Sequence, residues 1–261
     1  MNCKNCKTSL NSEQHYCFEC GAKVIKNRLT VKNLSADFSE QFLSYDNKFF
    51  STFIDLFKKP EAVIDGYING TRKKYINVVQ YLAISITLLG IQYFIINAIN
   101  PGYFIPEPSE FDKLMTKYYP KEALEIFTSF SRSMNEYLGL IYIIGLPASA
   151  LISWVVFLNE RVHNFTEHIV INMYVTDQYI ISSAILYLIA FALGIDVTVL
   201  IIVVTSLYVL YFAFVFYRLY KLSVLALIIR FVFSMVLFLA VTMILSILTG
   251  LLLFLYLKFL K

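Results

Sequence analysis

Five long apolar stretches constrain this chain more than any other feature. They cover about 77–98, 138–158, 169–193, 197–217 and 226–257. Crossing the roughly 30 Å hydrocarbon core of a bilayer takes about 20 apolar residues in a helix. Inside lipid every backbone N–H and C=O must be paired within the protein, so such stretches are expected to be α-helices. The expected fold class is an all-α polytopic membrane protein, a bundle of about five transmembrane helices with a small N-terminal head. Composition agrees. Hydrophobic residues make up 58% of the 261 positions and charged residues 15%, whereas soluble domains carry about 25% charge. The polar N-terminus MNCKNCKTSL has no apolar core of the kind a cleaved secretory signal needs.

All four cysteines lie within the first 20 residues, as Cys3-Lys-Asn-Cys6 and Cys17-Phe-Glu-Cys20-Gly21. Two residues between cysteines let the backbone turn tightly enough for both thiolates to reach one ion. Two such knuckles are the pattern of a tetrahedral Cys₄ zinc site. Gly21 supplies the permissive backbone these turns favour. So short a segment cannot bury a sizeable core, and bound zinc is expected to hold residues 1–24 together as a zinc ribbon. Four thiols would close the coordination sphere, which makes the site structural. Two disulfides, a redox C-x-x-C, or His15 replacing one thiol are the alternatives.

Residues 25–76 read as a polar linker, then an amphipathic segment, then a basic cluster. Phe38, Phe42, Phe49, Phe53 and Phe57 recur at spacings that suit one helical face. Lys58-Lys59-Pro60 should end that helix. Asp65-Gly66 and Asn69-Gly70 are turn signals. Arg72, Lys73 and Lys74 stand directly before the first span. The Phe-rich helix either lies among lipid headgroups or packs on the end of the bundle. The basic triad either binds anionic lipid headgroups or anchors the topology.

Basic residues in short loops fix orientation. Arg72, Lys73, Lys74, Arg161, Arg218 and Lys221 would share one side, and the 99–137 loop on the other side is mixed in sign. The N-terminus is therefore expected in the cytosol. The transmembrane bundle is expected over 77–257, with 99–137 as a helical extracytoplasmic cap.

A candidate polar membrane cluster lies around the start of the third span: Glu160, His163, Glu167, His168, Asn172 and Asp177. On a helix, His163 and Glu167 share one face. Two His and two Glu residues could bind a metal or relay protons. A carboxylate at Asp177 in mid-span must face the bundle and find a partner, or be neutral. The alternative is that these groups pair with Arg161 or Arg218 and fix helix packing. Arg230, near the start of the fifth span, can snorkel to the surface. No HExxH, P-loop, GxGxxG or GxSxG motif occurs.

The CxxC…CxxCG head, the Phe-rich segment, KKPEAVIDGYINGTRKKYINVVQYL and the later NFTEH together resemble the DUF3667 family of bacterial membrane proteins. Pro60, Tyr67, Gly70, Arg72, Lys73, Tyr75, Glu167 and His168 carry the resemblance. Val78 stands where members typically have proline. The resemblance implies a multi-pass protein of the bacterial inner membrane and brings no activity with it. Three functions stay open. One is a non-enzymatic scaffold or regulatory protein whose cytosolic ribbon is structural or docks a protein partner. Another is a transporter or channel for a small solute or lipid along the third span. The last is a membrane-embedded enzyme using His163, Glu167 and His168. No catalytic residue is assigned and no nucleic acid partner is expected.

Overall fold

The computed structural model describes residues 1–11, 13–24, 30–32, 48–101, 103–104 and 137–259; side chains of the last helix are described through residue 244 and at 247 and 250. The chain forms two units, Met1–Asn47 and Lys48–Lys261. Phe38 and Phe42 of the expected Phe-rich face, and residues 105–136 of the expected cap, lie outside the described residues.

The second unit is all-helical among its described residues. Two short helices, α1 (Lys48–Lys58) and α2 (Pro60–Ile68), precede α3 (Val78–Ile99), α4 (Leu138–Val156), α5 (Phe165–Ala192), α6 (Val197–Tyr220) and α7 (Val224–Phe259). The last five are long and apolar enough to cross a membrane. They coincide with the five stretches expected from sequence, so the fold class is that of a multi-pass membrane protein.

Local chemistry sets the boundaries. Pro60 has no N–H and disfavours helical backbone at Lys59, so α1 stops and α2 starts with Pro60 in its first turn. Asp65-Gly66, read from sequence as a turn, lies inside α2. The turn falls at Asn69-Gly70, where Gly70 adopts φ +97°. There the N–H groups of Asn69 and Thr71 satisfy the carbonyls of Asp65 and Gly66. Asn77 caps α3 by accepting from the Val79 N–H at 2.9 Å. Val78 is therefore the first helical residue, the position where proline is also well suited. α4 runs unbroken through Pro147. A left-handed Lys221 (φ +49°) ends α6.

α5 is the centre of the bundle and starts four residues earlier than its hydropathy indicates. Asn164 and Glu167 form a reciprocal capping box, at 3.0 and 2.7 Å, which extends the helix into polar sequence. At 1.5 Å per residue α5 is about 42 Å long, well beyond a roughly 30 Å hydrocarbon core. Its contacts show where the extra length goes. The hydroxyl of Tyr81, one turn into α3, bonds Gln178 halfway along α5. The first turns of α5 thus project past the start of α3. α1 and α2 pack against this projection. Gln178 donates to the Phe53 carbonyl at 3.0 Å, and Tyr211 of α6 to the Leu56 carbonyl at 3.3 Å. Thr52 and Leu56 are fully buried, and Phe57 meets Tyr211 edge-on at 5.4 Å. The described part of the Phe-rich segment therefore packs on protein rather than standing alone in the headgroups. Half of α5's most apolar window is buried, against none of α7's. α7 contacts α4 and α6 along one side and presents Val232, Val236 and Met243 outward.

Candidate metal centre and polar relay

The head is built twice over. Asn2 bridges Ser9 around the first knuckle, and Tyr16 bridges Lys23 around the second, at the same offsets from their cysteines. The N–H of Cys3 donates to the Thr8 carbonyl at 2.8 Å, and that of Cys17 to the Ala22 carbonyl at 2.9 Å. Lys7 and Gly21, each following the second cysteine of its pair, adopt φ +66° and +70° and donate back to Cys3 and Cys17. Glycine bears that conformation without strain, and Lys7 adopts it with a Cβ. Leu10 is buried against Cys3 and Cys17, with Ala22 and Val24 beside them.

This repeat brings all four Sγ atoms within 4.8 Å of one another. Cys3 and Cys20 are 3.7 Å apart, Cys6 and Cys17 3.6 Å. Each close pair joins one thiol from each knuckle. Sulfurs about 2.3 Å from a common tetrahedral ion lie about 3.8 Å from one another. A disulfide needs about 2.05 Å, and all four cysteines are free. The cage could hold a metal ion, and it is the one such cluster among the described residues.

The other sequence candidates divide. Glu167 is occupied in the α5 cap. Glu160 pairs with Arg230, and Arg218 pairs with Glu61 of α2 instead of the third-span acids. His163, His168 and Asn172 come together in one hydrogen-bonded line. Asp65 Oδ1 lies 3.1 Å from His163 Nε2, and His163 Nδ1 lies 3.1 Å from the Tyr220 hydroxyl. That hydroxyl is 3.0 Å from His168 Nε2, and His168 Nδ1 is 2.9 Å from Ser153 Oγ. Asn172 Nδ2 donates to Ser153 Oγ at 2.7 Å. The two imidazoles are perpendicular, with centroids 6.2 Å apart and the phenol bridging them. Ring stacking of Tyr220 on Phe157, 4.2 Å between centroids, holds the phenol in place.

The line runs from Asp65, whose side chain is 37% exposed, to Ser153 and Asn172, which are buried. Its hydrogen bonds have two self-consistent directions. With a neutral His163, Nε2–H donates to Asp65, Tyr220 donates to His163, His168 Nε2–H donates to Tyr220, and Ser153 donates to His168. With a proton on both His163 nitrogens, Tyr220 must donate to His168 instead. Nδ1–H of His168 then donates to Ser153, whose hydroxyl turns to the Ala150 carbonyl, 3.0 Å away. One proton at His163 thus sets the tautomer of His168.

Asp177 stands apart from this line. It is fully buried, accepts from Ser85 of α3 at 2.8 Å through Oδ1, and its Oδ2 has no hydrogen-bond partner among the described residues. Arg72 lies 3.9 Å over the Tyr67 ring and donates to the Tyr67 carbonyl, and Lys74 lies 5.0 Å over Tyr75. The Tyr75 hydroxyl donates to Asp55 at 2.8 Å. Burial, then this carboxylate, pushes the Tyr75 phenol above its usual range.

Residues 46–90 match the family model described as a protein of unknown function, DUF3667, the family the sequence resembles. The matched segment includes α1, α2 with Asp65 of the relay, the basic cluster and the first half of α3, and excludes the cysteine cage and the rest of the relay. No curated protein and no solved structure matches the chain.

Proposed function

We propose that this chain is a non-enzymatic scaffold or regulatory protein of the bacterial inner membrane, with its N-terminal zinc ribbon in the cytosol. The closed four-thiol cage carries this reading. Four sulfurs complete a tetrahedral sphere and leave no position for substrate or activated water. Zinc is the metal that suits all-thiolate tetrahedral ligation in a small ribbon. The surface of the head supports a docking role, since Phe18, between Cys17 and Cys20, is 67% exposed. The polar groups of α5 fit the same reading: most are occupied in pairing with α1, α3, α4 and α6. Arg72, Lys73 and Lys74, beside the start of α3, serve as the topology anchor and as a contact for anionic headgroups.

The test is a photo-crosslinking amino acid placed at position 18 of the full-length protein in its own membrane. The expected result is one dominant crosslinked protein, absent when Cys17→Ser removes the metal and unaffected by His168→Ala. Crosslinks only to lipid or to the chain itself would contradict it.

A second reading is favoured by the relay and by the unpartnered Asp177 Oδ2: the third span moves protons or a small solute. It expects Asp177→Asn to abolish a transport phenotype in a folded protein. An unchanged phenotype would remove this reading.

A further inference from the structure

α4, α6 and α7 leave a cavity of about 600 Å³ between them. Ala148 and Ser153 of α4, Phe212 of α6, and Ser234 and Phe238 of α7 line it, and its walls are almost wholly apolar. Along α7 the lining runs from Leu227 to Thr242, about 22 Å at 1.5 Å per residue. One leaflet, hydrocarbon and headgroups together, is about 20–23 Å deep. Spread over that length, the volume has room for one extended acyl chain.

Among the described residues, the one charged side chain lining the slot is Arg230. It sits where α4 ends, its guanidinium 5.2 Å over the Phe157 ring and paired with Glu160 of the α4–α5 loop. The two side chains are 22% and 34% exposed, so both remain within reach of a ligand. Arg230 Nη1 is enclosed and has no hydrogen-bond partner among the described residues, so a phosphate would bond the exposed part of the guanidinium. The polar end of the slot therefore offers one positive and one negative group side by side.

We propose that this slot binds a phospholipid of the ethanolamine type. One acyl chain lies between α4, α6 and α7, the phosphate sits on Arg230, and the ammonium sits on Glu160. A headgroup with a single negative charge satisfies Arg230 and leaves Glu160 opposed to a phosphate, so the zwitterion is the better match. The lipid closes the seam beside α7, which has few protein neighbours. Ser153 and Asn172 line the same slot, which places the relay's buried end against the bound chain.

Native mass spectrometry of the full-length protein, titrated with phosphatidylethanolamine or phosphatidylglycerol of identical chains, tests this. The expected result is one bound phosphatidylethanolamine per chain, at least tenfold preferred over phosphatidylglycerol. Ala148→Phe and Ser234→Phe, which fill the slot from opposite walls, should each reduce binding at least tenfold. Glu160→Gln should erase the headgroup preference while a lipid is still bound. Equal or reversed headgroup preference in the wild type, binding unchanged in both Phe variants, or a lipid-free dimer would overturn the proposal.

Discussion

Tyr220 shows how one hydroxyl can organise a buried polar site. Among the described residues, it is the one link between two imidazoles that do not touch each other. Tyr220→Phe keeps the stack on Phe157 and removes the link, leaving a nitrogen of His163 and one of His168 without a partner. An orphaned buried polar group costs about 1–3 kcal/mol. The variant should lower thermal stability in detergent by that order, whereas Tyr217→Phe, whose side chain is 41% exposed as a residue and outside the relay, should change little. Equal stability of Tyr220→Phe and wild type would show that the bridge holds nothing together. Only half of this site was legible in the sequence. His163, His168 and Asn172 stand close together in an otherwise apolar chain, so they were visible as a group. Their partners Ser153, Tyr220 and Asp65 lie 15, 57 and 98 residues from the histidines they meet. One tyrosine among 19 carries no local mark of such a role. Glu167 shares a helical face with His163, and it also stands three residues after Asn164, where it forms half of a capping box.

At the scale of elements, hydropathy found all five spans because twenty apolar residues in a row have few other fates. It missed where α5 begins, because capping, not apolarity, extends that helix. Asn164→Ala removes the cap and should cost about 1 kcal/mol, read as faster hydrogen exchange in the first turn of α5, with exchange in α7 unchanged. Uniform loss of protection would instead mean that the cap supports the whole bundle. α6 offers a pH-dependent counterpart. The N–H groups of Thr198 and Val199 hold the Asp196 carboxyl below its usual range. A lowered folded-state pKa adds stability above the ordinary carboxylate range, and that stability is lost as pH falls through the folded value. The first turn of α6 should therefore fray on acidification in the wild type. Asp196→Asn, which caps without titrating, should not share that pH dependence. The packing of α1 was the least legible element. Its Phe spacing defined a face, and either lipid or protein could have covered it. Gln178 and Tyr211, which reach its carbonyls, lie 125 and 155 residues away in sequence.

The whole molecule joins two solutions to the problem of burying enough surface. The head is too small for a hydrophobic core and gathers four thiols around one point. The bundle has apolar surface in excess and leaves much of it, α7 above all, outward-facing. The proposed orientation predicts that a fluorescent protein fused before Met1 folds in the cytosol, and that alkaline phosphatase fused after Phe104, past the first span, is active outside it. Reversed signals would invert the topology. The closed zinc cage proposed for the head is tested by X-ray absorption at the zinc edge of the full-length protein, together with elemental analysis. The expected result is one zinc per chain with four sulfur neighbours at about 2.3 Å, lost in Cys17→Ser while the bundle stays folded. Nitrogen or oxygen ligands in the first shell, another metal in stoichiometric amount, or no metal at all would contradict it.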